Sequence, residues 1–195
     1  MSRTVFLDRQ HAGQIRKPSA YGAYSRLVER HEADMTLDYL AAAERKLREL
    51  GIDVVNISDG RYPERHMRVL EYANIAQGTS VYVAAHLNAG GGDYGAVFHD
   101  YRSSMGKDCS LVVADALDEE CPELARVLVK EARSDDWTKN AFATIAGIYV
   151  GRPCALCFEP CFVDSASHLP LLEPKGLERV GIALAHGINN WMENR

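Results

Sequence analysis

Short apolar runs and stretches with helical spacing alternate along the chain. Five apolar runs have the length and the flanking turn residues expected of strands, and they cover residues 4–8, 52–57, 80–85, 94–99 and 153–158. The run at 80–85 is apolar on both alternating faces, which is typical of a strand covered on both sides of a sheet. We therefore expect a sheet with a core on each face.

Helical spacing occurs between these runs. It predicts helices at 34–50, 64–77, 103–117 and 122–132, and a closing helix at the end of the chain. Gly51 and Gly78 follow the first two helices, and Pro122 is placed as a first helical residue. The residues expected on one side of the second helix are Met67, Leu70, Ala73 and Asn74, and those expected on one face of the closing helix are Leu177, Val180, Leu184, Ile188 and Trp191.

Strands that alternate with helices of this length indicate an α/β fold with a twisted, mostly parallel β-sheet flanked by helices. The 195 residues suit a single domain, 1–195, because a chain of this size buries one substantial core. In such sheets, functional side chains collect just past the carboxyl ends of the strands. Polar residues at those positions are therefore the first candidates for chemistry.

Composition and charge exclude several classes of protein. The formal net charge of -5 argues against a protein that holds nucleic acid mainly through its phosphates, which needs a clustered basic surface. No apolar run approaches the roughly 20 residues of a transmembrane segment, and the apolar run near the start is too short for a secretory signal. We expect a protein made in the cytoplasm, which needs another exit route for any action outside the cell.

Four side chains at the predicted strand and helix ends form a chemically coherent set. His11 follows the first strand, His86 follows the third, Glu159 follows the last, and Glu32 precedes the first long helix. Hydrolytic zinc sites take three ligands from His and Asp or Glu and leave one position for water, whose proton a nearby carboxylate accepts. On spacing alone, Glu29 and His31 are alternatives to Glu32, which is also a favourable charge for a helix N-terminus.

Three further residues flank these candidates. Asp8 and Arg9 are close enough in the chain to orient His11, because metal-bound histidines commonly donate their second N–H to a neighbour. Asn88, two residues after His86, is expected either to touch the substrate or to hold its own loop. The remaining histidines are interpreted as surface or structural residues.

The last predicted strand carries three of the five cysteines, in the spacing Cys154-x2-Cys157-x3-Cys161, which raises the alternative of a thiol metal or redox site. Side chains alternate along a strand, so Cys154 and Cys157 point to opposite faces and cannot share one ion. Cys161 lies beyond the strand, near Glu159. An odd number of cysteines without a secretory signal also favours reduced thiols over disulfides.

Five sequence blocks in order carry a resemblance to a known family. They are Val-Phe-Leu-Asp-x-x-His-x-Gly at 5–13, Glu-x-Asp-x-Thr-Leu at 32–37, Tyr-Ala-Asn at 72–74, Ala-His-Leu-Asn-Ala at 85–89 and Cys-Phe-Glu-x-x-Phe at 157–162. In this order they resemble the zinc-dependent N-acetylmuramoyl-L-alanine amidases of the amidase-3 type, peptidoglycan hydrolases of bacteria and of bacteriophage endolysins. The resemblance runs from about residue 4 to residue 191 and so covers nearly the whole chain.

The resemblance implies a phosphorylase/hydrolase-like fold and a site with one Zn2+ ion. It assigns His11, Glu32 and His86 as the zinc ligands and Glu159 as the residue that activates the bound water. The implied reaction hydrolyses the amide between the lactyl group of N-acetylmuramic acid and L-alanine of the peptidoglycan stem peptide. The chain departs from the family in the loop around His11, where Asp-Arg-Gln-His-Ala-Gly replaces Asp-Pro-Gly-His-Gly-Gly.

The resemblance and the length together suggest a compact endolysin, a single catalytic domain without a separate cell-wall-binding domain. A bacterial amidase whose signal peptide precedes the given sequence is the nearest variant. Two other functions remain open at this stage: a zinc carboxypeptidase or deacylase of related fold, and a catalytically inactive wall-binding module on the same scaffold.

Overall fold

A six-stranded sheet forms the centre of the protein in the computed structural model, which describes residues 2–11, 21–60, 62–76, 78–133 and 153–195. The strands are β1 (Arg3–Arg9), β2 (Tyr24–Ser25), β3 (Arg30–His31), β4 (Asp53–Asn56), β5 (Thr79–Ala85), β6 (Gly95–Asp100), β7 (Val127–Ala132) and β8 (Cys154–Glu159). The sheet has the order β4-β1-β5-β8-β6-β7, and β2 and β3 form a separate hairpin. Only the β6–β8 pair in this sheet is antiparallel, which confirms the predicted mostly parallel α/β fold.

Helices cover both faces of the sheet. They are α1 (Glu32–Glu49), α2 (Tyr62–Ala76), α3 (Ser104–Glu120), α4 (Leu169–Leu172) and α5 (Pro174–Glu193), with a 3-10 turn at Ala166–His168. On one face, α1 and α3 both pack against α5 and share its hydrophobic core. On the other face, α2 packs Val69 and Ala73 against Phe6 and Tyr82 of the sheet. None of the described helices combines the length and the apolar character needed to cross a membrane.

Helix α1 positions one of the candidate ligands and is itself held closely by α5. Acidic residues lie in its first turn and basic residues in its last, as the helix dipole favours, and Gly51 follows with a positive φ of 72°. A Cβ atom at Gly181 of α5 would overlap the backbone of Tyr39 in α1. The two helices therefore approach at backbone distance, which fixes α1 against the sheet.

The predicted faces of β5 and α5 are confirmed. Val81 and Val83 of β5 belong to one core and Tyr82 and Ala84 to the other. The five apolar residues expected on one face of α5 are all buried.

One prediction of secondary structure is wrong. Residues 122–132 do not form a helix, because Pro122 lies in a turn and the segment Val127–Ala132 pairs with β6 as an edge strand. The side of α2 that carries Met67, Leu70, Ala73 and Asn74 is only partly buried, since Met67 is 57% exposed and Asn74 is exposed. The helix instead buries Arg65, which a search for apolar spacing could not select.

Candidate metal centre

Three of the predicted residues meet at the carboxyl edge of the sheet. One ligand atom each from His11, Glu32 and His86 lies within 4.8 Å of the others. Glu32 Oε1 is 3.4 Å from His11 Nε2 and 3.2 Å from His86 Nδ1, and the two imidazole rings meet edge to face with centroids 5.2 Å apart. The structure thus brings together the three residues that the sequence selected.

Strand register explains how the two histidines meet. Strands β1 and β5 are parallel neighbours, and Arg9 pairs with Ala85 at their carboxyl ends. His11 and His86 therefore follow adjacent strand ends. His86 is held further by its backbone N–H, which donates to Phe158 O at 3.0 Å, and by its carbonyl, which accepts a bond from the Tyr39 hydroxyl at 3.0 Å.

The hairpin before α1 holds the Glu32 carboxylate in place. Glu32 Oε2 accepts a hydrogen bond from the backbone N–H of Ala23 at 3.0 Å, and Glu32 Oε1 accepts one from the backbone N–H of Leu87 at 2.9 Å. The backbone N–H of Glu32 in turn donates to Ala23 O at 2.8 Å. Gly22, at φ 73°, lies against this carboxylate so closely that a Cβ atom would overlap it. The alternative Glu29 is exposed in the hairpin turn.

The electrostatics of the cluster favour an ionised carboxylate. Burial alone would raise the pKa of Glu32, but hydrogen bonds and charge from His11 and His86 outweigh burial and lower this pKa well below its usual range. Burial alone would lower the pKa of His86, but the hydrogen bond and the charge of Glu32 raise it above its usual range. A buried anion therefore lies between two imidazoles.

Two observations indicate that this cluster suits a zinc ion. Zinc holds nitrogen and oxygen ligands at about 2.0–2.1 Å, which in tetrahedral geometry separates two ligand atoms by about 3.3 Å. The distances from Glu32 Oε1 to the two imidazole nitrogens, 3.4 and 3.2 Å, match this separation. Two imidazoles and a carboxylate are also the donor types that zinc prefers in hydrolytic sites.

Glu159 lies at the end of β8, the strand next to β5. Burial raises the pKa of Glu159, and the positive charges of His86 and Lys130 offset this in part, while the charge of Glu32 adds to it. Cys157 Sγ is 3.8 Å from Glu159 Oε1, and burial raises the pKa of this thiol well above its usual range. The neutral thiol therefore donates a weak hydrogen bond to a carboxylate that takes up a proton more readily than an exposed one.

Asn88 holds its own loop. Its side-chain Oδ1 accepts a hydrogen bond from the backbone N–H of Ala89 at 2.8 Å, and its backbone bridges to the segment after β8 through Cys161 and Val163. These bonds agree with the second of the two roles expected of Asn88, which is to hold its own loop. Contact of Asn88 with a substrate stays a prediction.

The contacts of the Asp8 and Arg9 side chains are with groups other than the His11 ring. The Asp8 carboxylate is fully buried and binds Arg65, Tyr82 and the Gln10 amide, and Arg9 donates to Ala33 O at 3.3 Å. Asp8 therefore acts on the loop that carries His11 through Arg65, which sequence reasoning did not select.

The remaining histidines lie outside the cluster. His31 packs against Tyr21 and Tyr24, His168 accepts a hydrogen bond from the backbone N–H of Phe162, and His186 pairs with Glu120. Within the described part of the chain, the group of possible metal ligands contains none of them. Their interpretation as structural or surface residues agrees with these contacts.

The cysteines of β8 alternate as predicted. Cys154 belongs to the core beneath α3 and α5, whereas Cys157 belongs to the opposite core. Cys161 is buried beyond the strand, and all five thiols are free. Because Cys154 and Cys157 lie on opposite faces of the sheet, the two thiols cannot bind one ion.

Comparison with known proteins supports the fold. No protein-family model and no curated protein matches the sequence. Solved structures match at low identity. The N-acetylmuramoyl-L-alanine amidase from Clostridium difficile 630 has a TM-score of 0.78 and 18% identity, with 100% of this chain and 98% of that chain covered. The CwlD amidase from Clostridioides difficile, solved in complex with the GerS lipoprotein, has a TM-score of 0.76 and 18% identity over 100% of both chains.

Two further structures bear on domain organisation. Cwp6 from Clostridium difficile has a TM-score of 0.77 and 21% identity, and the match covers 97% of this chain but only 29% of Cwp6. The catalytic domain of the CD27L endolysin, which targets Clostridia difficile, has a TM-score of 0.63 and 16% identity over 97% of both chains. The chain has the fold of N-acetylmuramoyl-L-alanine amidase catalytic domains, as its sequence resemblance implies.

Proposed function

We propose that the protein is a zinc-dependent N-acetylmuramoyl-L-alanine amidase that hydrolyses the amide between the lactyl group of N-acetylmuramic acid and L-alanine of the stem peptide. The observation that carries this proposal is the cluster of His11, Glu32 and His86, with a half-buried glutamate, Glu159, at the end of the next strand. The shared fold with amidase catalytic domains supports the same reaction.

In this proposal His11, Glu32 and His86 hold the zinc ion. The bound ion would polarise the scissile carbonyl and lower the pKa of the attacking water. The ionised Glu32, fixed by two backbone N–H groups, balances part of the positive charge at the site. The backbone of His86 is fixed by β8 and by Tyr39, which sets the position from which its ring extends.

Glu159 is the proposed general base. Its carboxylate accepts the proton of the attacking water and then donates it to the nitrogen of the leaving L-alanine, which makes the amine a better leaving group. The raised pKa of Glu159 suits both steps, because a carboxylate with a raised pKa gains a proton more readily and can pass it on.

We further propose that residues 1–195 act as one catalytic domain on peptidoglycan and that the protein works as an endolysin. The match to the CD27L catalytic domain over nearly the whole of both chains supports this setting. Purified protein is then expected to lower the turbidity of a peptidoglycan suspension without an added wall-binding domain.

Mass spectrometry of digested peptidoglycan, together with zinc analysis, tests the reaction. We expect glycan with a free lactyl carboxyl group and stem peptides with a free N-terminal L-alanine. Glu159→Gln should keep its zinc and lose activity by roughly 10²–10⁴-fold, whereas Glu119→Gln, an exposed change on α3, should keep both. Release of a terminal residue from the stem instead would identify a carboxypeptidase, and a fully active Glu159→Gln would refute the assigned base.

A further inference from the structure

We infer that a second binding site lies beside Glu159, where Tyr94, Arg126 and Lys130 form a cationic shelf that binds a carboxylate of the leaving peptide. This inference rests on the proposed amidase function and adds to it a preference for acidic stem peptides. The three residues of the shelf belong to β7 and to the segments just before β6 and β7.

Strand register places the shelf at the same edge of the sheet as Glu159. Strand β6 runs antiparallel to β8 with Ala96 opposite Glu159, so Tyr94, two residues earlier, extends past the end of β8. Strand β7 is parallel to β6, and the backbone N–H of Gly95 donates to Arg126 O at 3.0 Å. Tyr94 and Arg126 are therefore neighbours at the edge where Glu159 ends its strand.

Lys130 reaches this edge from within β7. It lies opposite Phe98, which lies opposite Cys157, so Lys130 shares a face of the sheet with Cys157 and Glu159. Its Nζ lies 5.5 Å from the centroid of the Phe98 ring and 4.4 Å from the centroid of the Tyr94 ring. The same Nζ donates a hydrogen bond to the Tyr94 hydroxyl at 3.2 Å. The ammonium group is thus held next to Tyr94, towards the end of β8.

Tyr94 itself is held firmly. Its ring meets Phe162 edge to face with centroids 5.0 Å apart, and Gly92 lies so close to Phe162 that a Cβ atom would overlap the ring. Arg126 Cζ lies 6.0 Å from the Tyr94 centroid, on a ring that Lys130 also contacts. One fixed aromatic ring therefore gathers two cations at this position.

The two cations have no acidic partner in the part of the chain that the structure describes. Among the described residues, neither Arg126 nor Lys130 forms an ion pair with a carboxylate, although the chain has a formal net charge of -5. The neighbouring Glu131 pairs with Arg133. The charge of Lys130 acts on Glu159, which agrees with a position beside it. Two cations gathered on one ring, with no carboxylate paired to them among the described residues, suit a carboxylate or another small anion.

The order of groups across the sheet matches the order of groups in the substrate. The metal ligands follow β1 and β5, Glu159 ends β8, and the shelf lies beyond it on β6 and β7. A substrate with its scissile carbonyl at the metal and its amine at Glu159 would extend its leaving peptide over β6 and β7. Two strands span about 10 Å, and two extended residues span about 7 Å. The long side chains of the shelf cover the difference, so the carboxylate of the residue after L-alanine is within reach.

Two soluble muropeptides that differ in one group test the shelf. In both, the residue after L-alanine is a γ-linked D-glutamate, with its α-carboxyl group free in one and amidated in the other. We expect the zinc-loaded protein to hydrolyse the acid about tenfold better than the amide, mainly through a lower KM, because a charge-assisted hydrogen bond is lost with the amide. Lys130→Met should abolish this preference while still hydrolysing the amide, and Lys130→Arg should keep the preference.

Lys107→Met is the matched control, because Lys107 is an exposed residue of α3 remote from β7 in sequence, and it should keep the preference. If Lys130→Met lost the same fraction of its hydrolytic activity on both muropeptides, Lys130 would act only through Glu159, and the inference would be overturned. Equal hydrolysis of acid and amide by the unchanged protein would also overturn it.

A binding measurement separates failure of the shelf from failure of the proposed function. Zinc-loaded Glu159→Gln is titrated with L-alanyl-γ-D-glutamate and with the corresponding amide, and binding is followed by nuclear magnetic resonance. Tighter binding of the acid that disappears in the Lys130→Met background supports the shelf even if the protein hydrolyses no muropeptide. Amidase activity without any preference in binding or hydrolysis keeps the proposed function and refutes the shelf.

Discussion

Replacing Arg65 by methionine removes the cationic partner of a buried carboxylate. The Arg65 and Asp8 side chains are both fully buried, and Arg65 Nη1 donates to Asp8 Oδ1. The other carboxylate oxygen accepts bonds from Gln10 Nε2 at 2.6 Å and from the Tyr82 hydroxyl at 2.7 Å. In Arg65→Met, Asp8 keeps these two neutral donors but loses the positive charge that balances it.

The expected loss of stability follows from this burial. Removing one partner of a buried ion pair costs about 3–5 kcal/mol, because the other charge stays in the core. For a chain of this size, about 2–4 °C of melting temperature is lost per kcal/mol, so the melting temperature should fall by about 6–20 °C. Thermal and urea unfolding of Arg65→Met measure this difference in the free energy of unfolding.

The loss of stability in Arg65→Met should increase with pH. Burial raises the pKa of Asp8, and Arg65 and Tyr82 offset only part of that effect. Without Arg65 the folded-state pKa of Asp8 rises further, so the pH-dependent part of the cost of Arg65→Met grows as the pH rises above the already raised folded-state pKa of Asp8 in the unchanged protein. The variant should therefore approach the unchanged protein in stability in acid and differ most at neutral pH.

Two further variants test the reasoning. Arg45→Met removes an exposed ion pair with Glu178 and should cost no more than about 1 kcal/mol. The double variant Asp8→Asn/Arg65→Met removes the unpaired charge and should recover part of the stability lost in Arg65→Met. A loss below about 1 kcal/mol in Arg65→Met at neutral pH, or no recovery in the double variant, would refute the account of a buried charge pair.

Three more predictions concern the candidate site. Chelation of zinc should abolish hydrolysis, and activity that survives complete metal removal would contradict the mechanism. Glu32→Gln removes the anionic ligand and should therefore weaken zinc binding, measured by competition with a chelating dye. Cys157→Ala should move the acid limb of the pH–rate profile to higher pH, since the thiol lowers the raised pKa of Glu159 and the base must be ionised; an unchanged profile would show that the thiol has no such effect. Gly22→Ala should reduce both zinc affinity and stability, because the added Cβ atom would overlap the Glu32 carboxylate. The control Gly51→Ala has a similar φ of 72° but open space around it, so it should cost only about 1–2 kcal/mol of backbone strain and spare zinc binding.

The sequence predicted the parts of the fold that depend on local pattern. The apolar runs of β1, β5 and β8 are each long enough to form a buried strand on their own, and their order in the chain implies that their carboxyl ends meet. His11, His86 and Glu159 follow these strand ends, so they could be predicted to meet although they are far apart in the chain. Glu32 was less determined, because its place in the cluster depends on the β2–β3 hairpin, which has two residues in each strand and no apolar pattern.

The parts that were missed depend on long-range contacts. Segment 127–132 has residues suited to a strand, but Pro122 before it also suits the start of a helix, and pairing with β6 decides between the two. Arg65 is charged, so apolar spacing assigns it to the surface of α2, and its burial follows only from Asp8 on another strand. Lys130 was missed for the same reason as β7, since its alignment with Phe98 and Cys157 exists only in the sheet.

Long-range contacts also set the path of the loop around His11. Where the amidases that the sequence resembles have a glycine-rich loop, this chain has Arg9 and Gln10 before the histidine. Arg65, anchored on Asp8, donates to the backbone carbonyls of both residues at 3.5 and 3.4 Å, so the path of the chain into His11 is set by a buried cation. The register of β1 with β5 then places His11 next to His86. A substitution of Arg65 should therefore weaken zinc binding as well as stability, although its side chain is not a metal ligand.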